Sequence, residues 1–494
     1  MIKNISLRHV VLALLIAAAP LGMLYAGNAT VKIKARNLEG RTLSYCRSYS
    51  GVWLPNSNPI RLDADSTFTF HIPLSGDAER FFILASDPDK KLPTESGRAY
   101  VPKGETVITV DPLAERKIEV SYSKGKRCDG MAAQKADELY QVWFALAVGR
   151  DDALGLRMDT VPGSAAARLR AFSDSILASA GPLSRGIRRV MEHDLRLMEL
   201  NTFIMCENEH TGFRSKLSAA GRQAWHEAVA RMKEALDFGN QLSAGNYAAY
   251  EIARDDFYSN LDQESIRSVD RDSLLRLAAR YFSEHYAGKM REAMLANLLY
   301  ADADGGVFSP SAPALTVEFK RMFPHSEVLT HLEEMAGRNE AFNHPAESPE
   351  IRFLNSSGVT ALSQVIDSYK GTPVLIDVWA TWCGPCRRSF SHVGPIQEYA
   401  AANGVKLLYI SIDEQPSVET KWKNMARYYN LKGDHLLMNP EIKNDIYKTF
   451  GNGHYLTVPC YATVDREGNI NVLGSSYAES SDFAPLKEIL DRLR

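Results

Sequence analysis

Val374-Leu375-Ile376-Asp377-Val378-Trp379-Ala380-Thr381-Trp382-Cys383-Gly384-Pro385-Cys386 is the stretch on which the reading of this chain turns. Its first six residues form an apolar strand interrupted only by Asp377. The Cys-x-x-Cys pair follows where that strand gives way to a helix. A thiol attacks only as thiolate, and a helix N-terminus offers free N–H groups and a partial positive charge that stabilise it. This position makes Cys383 an exposed nucleophile with a lowered pKa. Cys386, one turn inward, is then the shielded thiol that resolves a mixed disulfide. Pro385 suits the first helical turn, where its missing N–H costs nothing. Arg387 and Arg388 add positive charge; Arg388 reads as solvent-facing, and Arg387 stays open.

Other chemistries of a Cys-x-x-Cys have specific requirements. A zinc site needs two more ligands at suitable spacing, and the sequence has no second Cys-x-x-Cys or paired histidine. A c-type haem needs histidine after the second cysteine, where Arg387 stands. An inert structural disulfide is the remaining alternative, since such bonds occur in exported proteins. His226-Glu227 lacks the second histidine of a zinc-protease helix, and no glycine-rich phosphate loop or nucleophile elbow is present. Neither a metal nor a cofactor is implied.

Outward from this stretch, strands and helices alternate from about Ser348 to the C-terminus, the pattern of an α/β sheet. Ile351–Leu354, Val374–Trp379, Val405–Ile412, Tyr461–Val464 and Ile470–Leu473 read as strands. Helices are expected around Ala361–Ser368, from the cysteine pair through Ala400, and over Val418–Tyr429, Glu441–Phe450 and Asp482–Leu493. Upstream, residues 123–345 carry apolar positions at three- and four-residue spacing, in segments such as Ala132–Val148, Ile187–Phe203, Ala219–Phe238 and Arg271–His285. They predict an α-helical domain, a bundle rather than a strict solenoid because no repeat period is found. Residues 27–122 alternate with period two in Val31–Lys34 and Thr67–Ile72 and predict a small β-sandwich. The expected division is therefore 1–26, 27–122, 123–345 and 346–494.

The first 26 residues place Lys3 and Arg8 before an apolar run, Val10 to Ala19, then small residues near Ala26. That order is a cleaved secretory signal, with a retained N-terminal anchor as the alternative. Of the six cysteines, only Cys383 and Cys386 form a motif. Cys46, Cys128 and Cys206 are scattered, and sequence does not select a pair among them. A formal net charge of −3 gives no global field toward nucleic acid.

The quoted stretch resembles the active-site strand and loop of thioredoxins. With the Asn355-Ser356-Ser357-Gly358 turn and the exported context, the C-terminal region is similar to the TlpA/ResA branch of exported thioredoxin-like oxidoreductases. A β-rich domain and helices ahead of it are similar to multidomain oxidoreductases of Bacteroidetes. The resemblance implies a thioredoxin-like fold for residues 346–494 and a redox disulfide between Cys383 and Cys386. It makes Asp377 a buried acid that takes the proton of Cys386, with a purely structural carboxylate as the alternative. It places Trp382 beside the sulfurs and makes Pro459 a cis-proline, with the Val458 backbone pairing to an extended substrate segment. Two departures stand out. Ser389 occupies a position where relatives often carry glutamate, and Ser391 one where many carry proline. Cys460 follows the expected cis-proline, either as a small buried hydrophobe or as an accessory thiol.

These readings converge on a periplasmic enzyme that reduces disulfides of substrate proteins and is itself reduced by a membrane thiol donor. They imply no nucleic-acid partner and no membrane span once the signal is removed. An oxidase or isomerase of the same fold is one alternative. A partner-binding or assembly protein with a secondary redox pair is another.

Overall fold

The computed structural model describes residues 28–492, apart from 39, 50–51, 53–57, 64, 75–76, 87–92, 115–117, 123–126, 129–159, 180–182, 208–212, 214–215, 237–247, 262–268, 415–417 and 476–482. The signal-like segment 1–26 and the helix expected over Ala132–Val148 lie outside the described residues. The chain divides into two compact units. One takes in residues 1–268, 278–297 and 326–328; the other takes in 269–277, 298–325 and 329–494.

In the first unit, alternation of apolar and polar residues builds a sandwich. Ala29, Val31, Ile33 and Ala35 of β1 (Asn28–Ala35) are all buried, and the residues between them face outward. β1 pairs antiparallel with β4 (Thr67–Pro73) and parallel with β7 (Gly104–Val110). β8 (Ile118–Tyr122) and β9 (Arg127–Cys128) complete that five-stranded sheet. β2 (Thr42–Arg47), β3 (Asn58–Ile60), β5 (Ala78–Ser86) and β6 (Pro93–Pro102) form a four-stranded sheet. Residues of both sheets share one apolar cluster that includes Val31, Ile33, Phe81, Ile83 and Val101. Helices follow: α1 (Pro162–Ser179), α2 (Arg185–Glu207), α3 (Ala219–Ala235) and α4 (Ala248–Ser259). Trp225 of α3 stacks on Phe203 of α2 at 4.5 Å and donates its indole N–H to the Phe203 carbonyl at 2.9 Å. α5 (Arg271–His285) and α6 (Gly288–Asp304) each begin in one unit and end in the other.

In the second unit, α7 (Ala312–Met322) and α8 (Leu329–Asn343) precede a six-stranded sheet in the order β10-β13-β12-β11-β14-β15. Its strands are β10 (Ile351–Phe353), β11 (Val374–Trp379), β12 (Lys406–Ser411), β13 (Gly433–Leu437), β14 (Cys460–Val464) and β15 (Ile470–Gly474). All six residues of β11 are buried, as befits an interior strand of a covered sheet. β11 runs parallel to β12 and antiparallel to β14, with Val378 opposite Cys460. The chain leaving β11 and the chain entering β14 therefore meet at one end of the sheet. The connecting helices are α9 (Leu362–Ile366), α10 (Gly384–Phe390), α11 (Gly394–Ala402), α12 (Glu419–Tyr428), α13 (Lys443–Phe450) and α14 (Ala484–Asp491). The single helix expected through Ala400 is thus two, because Pro395 can open a helix at α11 but cannot sit inside one. Phe342 of α8 stacks on Phe308 at 4.3 Å, and Tyr428 of α12 closes this aromatic group.

Candidate active site

Cys383 caps the N-terminus of α10 with extended backbone, and its sulfur accepts from the Cys386 amide at 3.1 Å. The two sulfurs are bonded at 2.04 Å, with 5.3 Å between the Cα atoms. Cys383, expected to be exposed, is only 3% exposed, and Cys386 is fully buried: the bond between the two sulfurs draws Cys383 toward its buried partner, so the oxidised pair shows little of either sulfur. The exposed group at this end is Trp382, at 65%. The Val458–Pro459 peptide bond is cis and leads into Cys460 at the start of β14. Tyr455, also well exposed, lies on the loop that approaches that bond.

The loop between β11 and the disulfide is held by a residue that the sequence reading passed over. Asp413, just past β12, accepts from the Thr381 amide at 2.8 Å and from its hydroxyl at 2.9 Å. Ser411 donates to the same carboxylate at 2.6 Å. This buried acid has three donors, which fixes the approach to Trp382 and Cys383. The only sequence cue is that Ser411 and Asp413 sit at the C-terminal end of a parallel strand, where polar groups gather in α/β sheets.

Asp377 sits in mid-β11, opposite Tyr409 of β12 and Tyr461 of β14. Burial pushes its carboxyl up to about 7, with the Tyr461 hydroxyl pulling back against that rise. Its Oδ1 atom is buried without a hydrogen-bond partner. The carboxyl lines a small pocket together with Leu375, Ile396, Tyr409, Tyr461 and Leu486. An acid that titrates near neutrality can accept and return a proton at ordinary pH. The Tyr461 hydroxyl makes a 2.8 Å hydrogen bond with Ser389 Oγ, one turn along α10 from Cys386.

The remaining candidates separate by environment. Cys460 is buried with its sulfur 3.9 Å from the Phe450 carbonyl, and desolvation raises its thiol pKa. A buried thiol of this kind is a poor nucleophile. Cys46 and Cys206 are also buried. Arg387 donates to the Asp304 carbonyl at 3.5 Å, at the C-terminal end of α6, where a cation is favoured. Its guanidinium lies over Gly306, which has φ +67° and no room for a Cβ beneath Nη1. Arg388 is exposed. Among the described residues, no group of three or more His, Cys, Asp or Glu side chains is arranged to hold a metal ion, and no helix is long and apolar enough to cross a membrane.

Residues 349–490 match the Redoxin family model. A chloroplastic M-type thioredoxin of Pisum sativum is 38% identical over 88 residues, covering 17% of this chain and 46% of that protein. The thiol-disulfide oxidoreductase ResA of Bacillus thuringiensis subsp. konkukian is 24% identical over 105 residues, covering 21% of this chain and 56% of that protein. The chain thus spans about half the length of these curated relatives. Among solved structures, a thioredoxin-family thiol:disulfide interchange protein of Chlorobium tepidum is 24% identical. That match covers 25% of this chain and 82% of the other, with a TM-score of 0.21. The C-terminal α/β region of this chain is a redoxin-type, thioredoxin-like region, and its relatives by sequence are thioredoxins and thiol–disulfide oxidoreductases.

Proposed function

We propose that this protein is an exported thiol–disulfide oxidoreductase that reduces disulfides in substrate proteins. The observation that carries the reading is the Cys383–Cys386 disulfide, placed where β11 hands over to α10, with an amide hydrogen aimed at the Cys383 sulfur. In the reduced protein, the Cys383 thiolate attacks a substrate disulfide. One substrate sulfur leaves as thiolate, and the other stays bonded to Cys383. Cys386 then gives its proton to the Asp377 carboxylate, and its thiolate attacks the Cys383 sulfur. The second substrate thiolate departs and the Cys383–Cys386 disulfide forms. Two electrons have passed to the substrate, and the released thiolates take protons from water according to their pKa. An external dithiol, in the cell a membrane-linked donor, returns the electrons.

Trp382 and the Val458–Pro459 loop receive the substrate, with the Val458 backbone available to an extended segment. This contact needs no particular sequence, which suits a reductase with several substrates. Export rests on the order of charge, apolar run and small residues in the first 26 residues. The division at residues 27–122, 123–345 and 346–494 belongs to the same reading, with the upstream domains presenting or docking partners; by compactness, residues 269–277, 298–325 and 329–345 group with the C-terminal region.

Reducing direction follows from the Gly384-Pro385 dipeptide, which resembles that of reducing thioredoxins. Equilibration with glutathione redox buffers should give a potential nearer to about −270 mV than to about −120 mV, the values of a reductant and a strong oxidant of this fold. A value near the oxidant end, with efficient oxidation of reduced ribonuclease, would assign the protein to disulfide formation instead.

A further inference from the structure

We infer that Tyr461, held by Ser389, is a positioning residue that sets the pH at which Asp377 accepts the proton of Cys386. The inference rests on the exchange reading given above. Tyr461 and Ser389 are each 3% exposed, and their hydroxyls meet at 2.8 Å across the gap between β14 and α10. A hydroxyl pair buried this deeply uses one proton for their shared bond and leaves the second free for another acceptor. When Ser389 donates to Tyr461, the phenolic proton is the free one. β14 places Tyr461 directly opposite Asp377 in the antiparallel register. The carboxylate beside it has an oxygen without a partner and lines the same pocket.

Hydrogen bonding to the charged form of an acid lowers its pKa, whereas burial raises it. The Tyr461 hydroxyl works against the burial of Asp377. One other titratable group lines the same pocket, Tyr409 from β12, and Cys460 at the head of β14 feels the carboxyl's charge from the neighbouring register position; burial keeps both neutral at physiological pH. α11 and α14 contribute Val393, Ile396 and Leu486 to this pocket and no charge. One acid, adjusted by one phenol, then serves the resolving thiol.

The test uses the full-length reduced protein and the aromatic disulfide 5,5′-dithiobis(2-nitrobenzoate). Attack by Cys383 releases one coloured thiolate, and resolution by Cys386 releases a second. Tyr461→Phe should move the pH midpoint of the second phase upward by about one unit, the size expected when a charged group loses one hydrogen bond. Ser389→Ala should move it the same way by less. Simple loss of packing would lower the thermal midpoint and leave the pH midpoint in place. Second-phase midpoints equal to that of the unaltered protein in both variants would overturn the inference while leaving the exchange reading intact. Absence of a second phase in the unaltered protein would instead remove the exchange reading, and this inference with it.

Discussion

Cys383→Ser should lose disulfide reduction by about 10³-fold or more, to the background rate of the assay. Serine keeps the shape of the N-cap but ionises far above neutrality, so no anion is available to attack sulfur at physiological pH. Cys386 cannot take over. It is fully buried and one helical turn inside, and its amide is oriented toward position 383. Cys460 cannot substitute either, because burial raises its pKa and its sulfur lies against the Phe450 carbonyl. Insulin reduction with dithiothreitol as donor measures the loss. Because the altered atom lies at a helix cap and its side chain is nearly isosteric, the unfolding midpoint of the reduced protein should stay close to that of the unaltered reduced form. Retention of more than about a tenth of the activity would place the nucleophile elsewhere.

Asp377→Asn should have two effects of opposite sign. The resolving step loses its proton acceptor, and general-base contributions of this type are about 10²-fold or more. Stability, however, should rise at alkaline pH. The native carboxyl titrates at about 7 against an ordinary value of 3.8, so the folded state holds its proton more tightly than the unfolded state. A native acid with a raised pKa therefore carries no stability cost below pH 3.8. The cost grows as pH rises through the interval and is complete above about 7. Each tenfold in proton affinity is about 1.4 kcal/mol, so the span from 3.8 to about 7 corresponds to about 4 kcal/mol. Asparagine does not ionise and escapes this cost. Urea unfolding of the oxidised protein should show the variant gaining on the unaltered protein between pH 4 and pH 8 by about that amount. A stability difference that is the same at both pH values would mean that Asp377 does not titrate across this range.

The strand β11 and the start of α10 were legible because every local signal agreed. An apolar run, a Cys-x-x-Cys at its end and a proline suited to a first helical turn leave few alternatives. The sandwich was legible in part from the period-two strands β1 and β4. β13 was not, because Gly433, Asp434 and His435 are poor strand formers in isolation. Gly433 sits at φ +139° with no space for a Cβ beside the Leu407 carbonyl, so close approach of two strands selects the residue and propensity does not. α7 was not among the helices expected from spacing; Pro313 sits in its first turn, where the missing N–H costs nothing. The grouping of residues 298–325 and 329–345 with the α/β region depends on contacts such as Phe342 with Tyr428, which no local pattern encodes.

The site divides in the same way. Cys383, Cys386 and Asp377 are named by the motif and its strand, whereas their supports are set by sheet register. Tyr461 and Tyr409 flank Asp377 only because β14 and β12 pair with β11 as they do. Asp413 reaches Thr381 across 32 residues of chain. Ser389 is an unremarkable serine until the helix turns it toward a buried phenol.

The measurement closest to the central claim is trapping with Cys386→Ser. This variant can attack but cannot resolve, so a disulfide-bonded substrate protein should accumulate as a mixed disulfide. Peptide mapping by mass spectrometry should place that adduct on Cys383. An adduct on Cys46, Cys128, Cys206 or Cys460, or no adduct while the unaltered protein turns over the same substrate, would contradict the account.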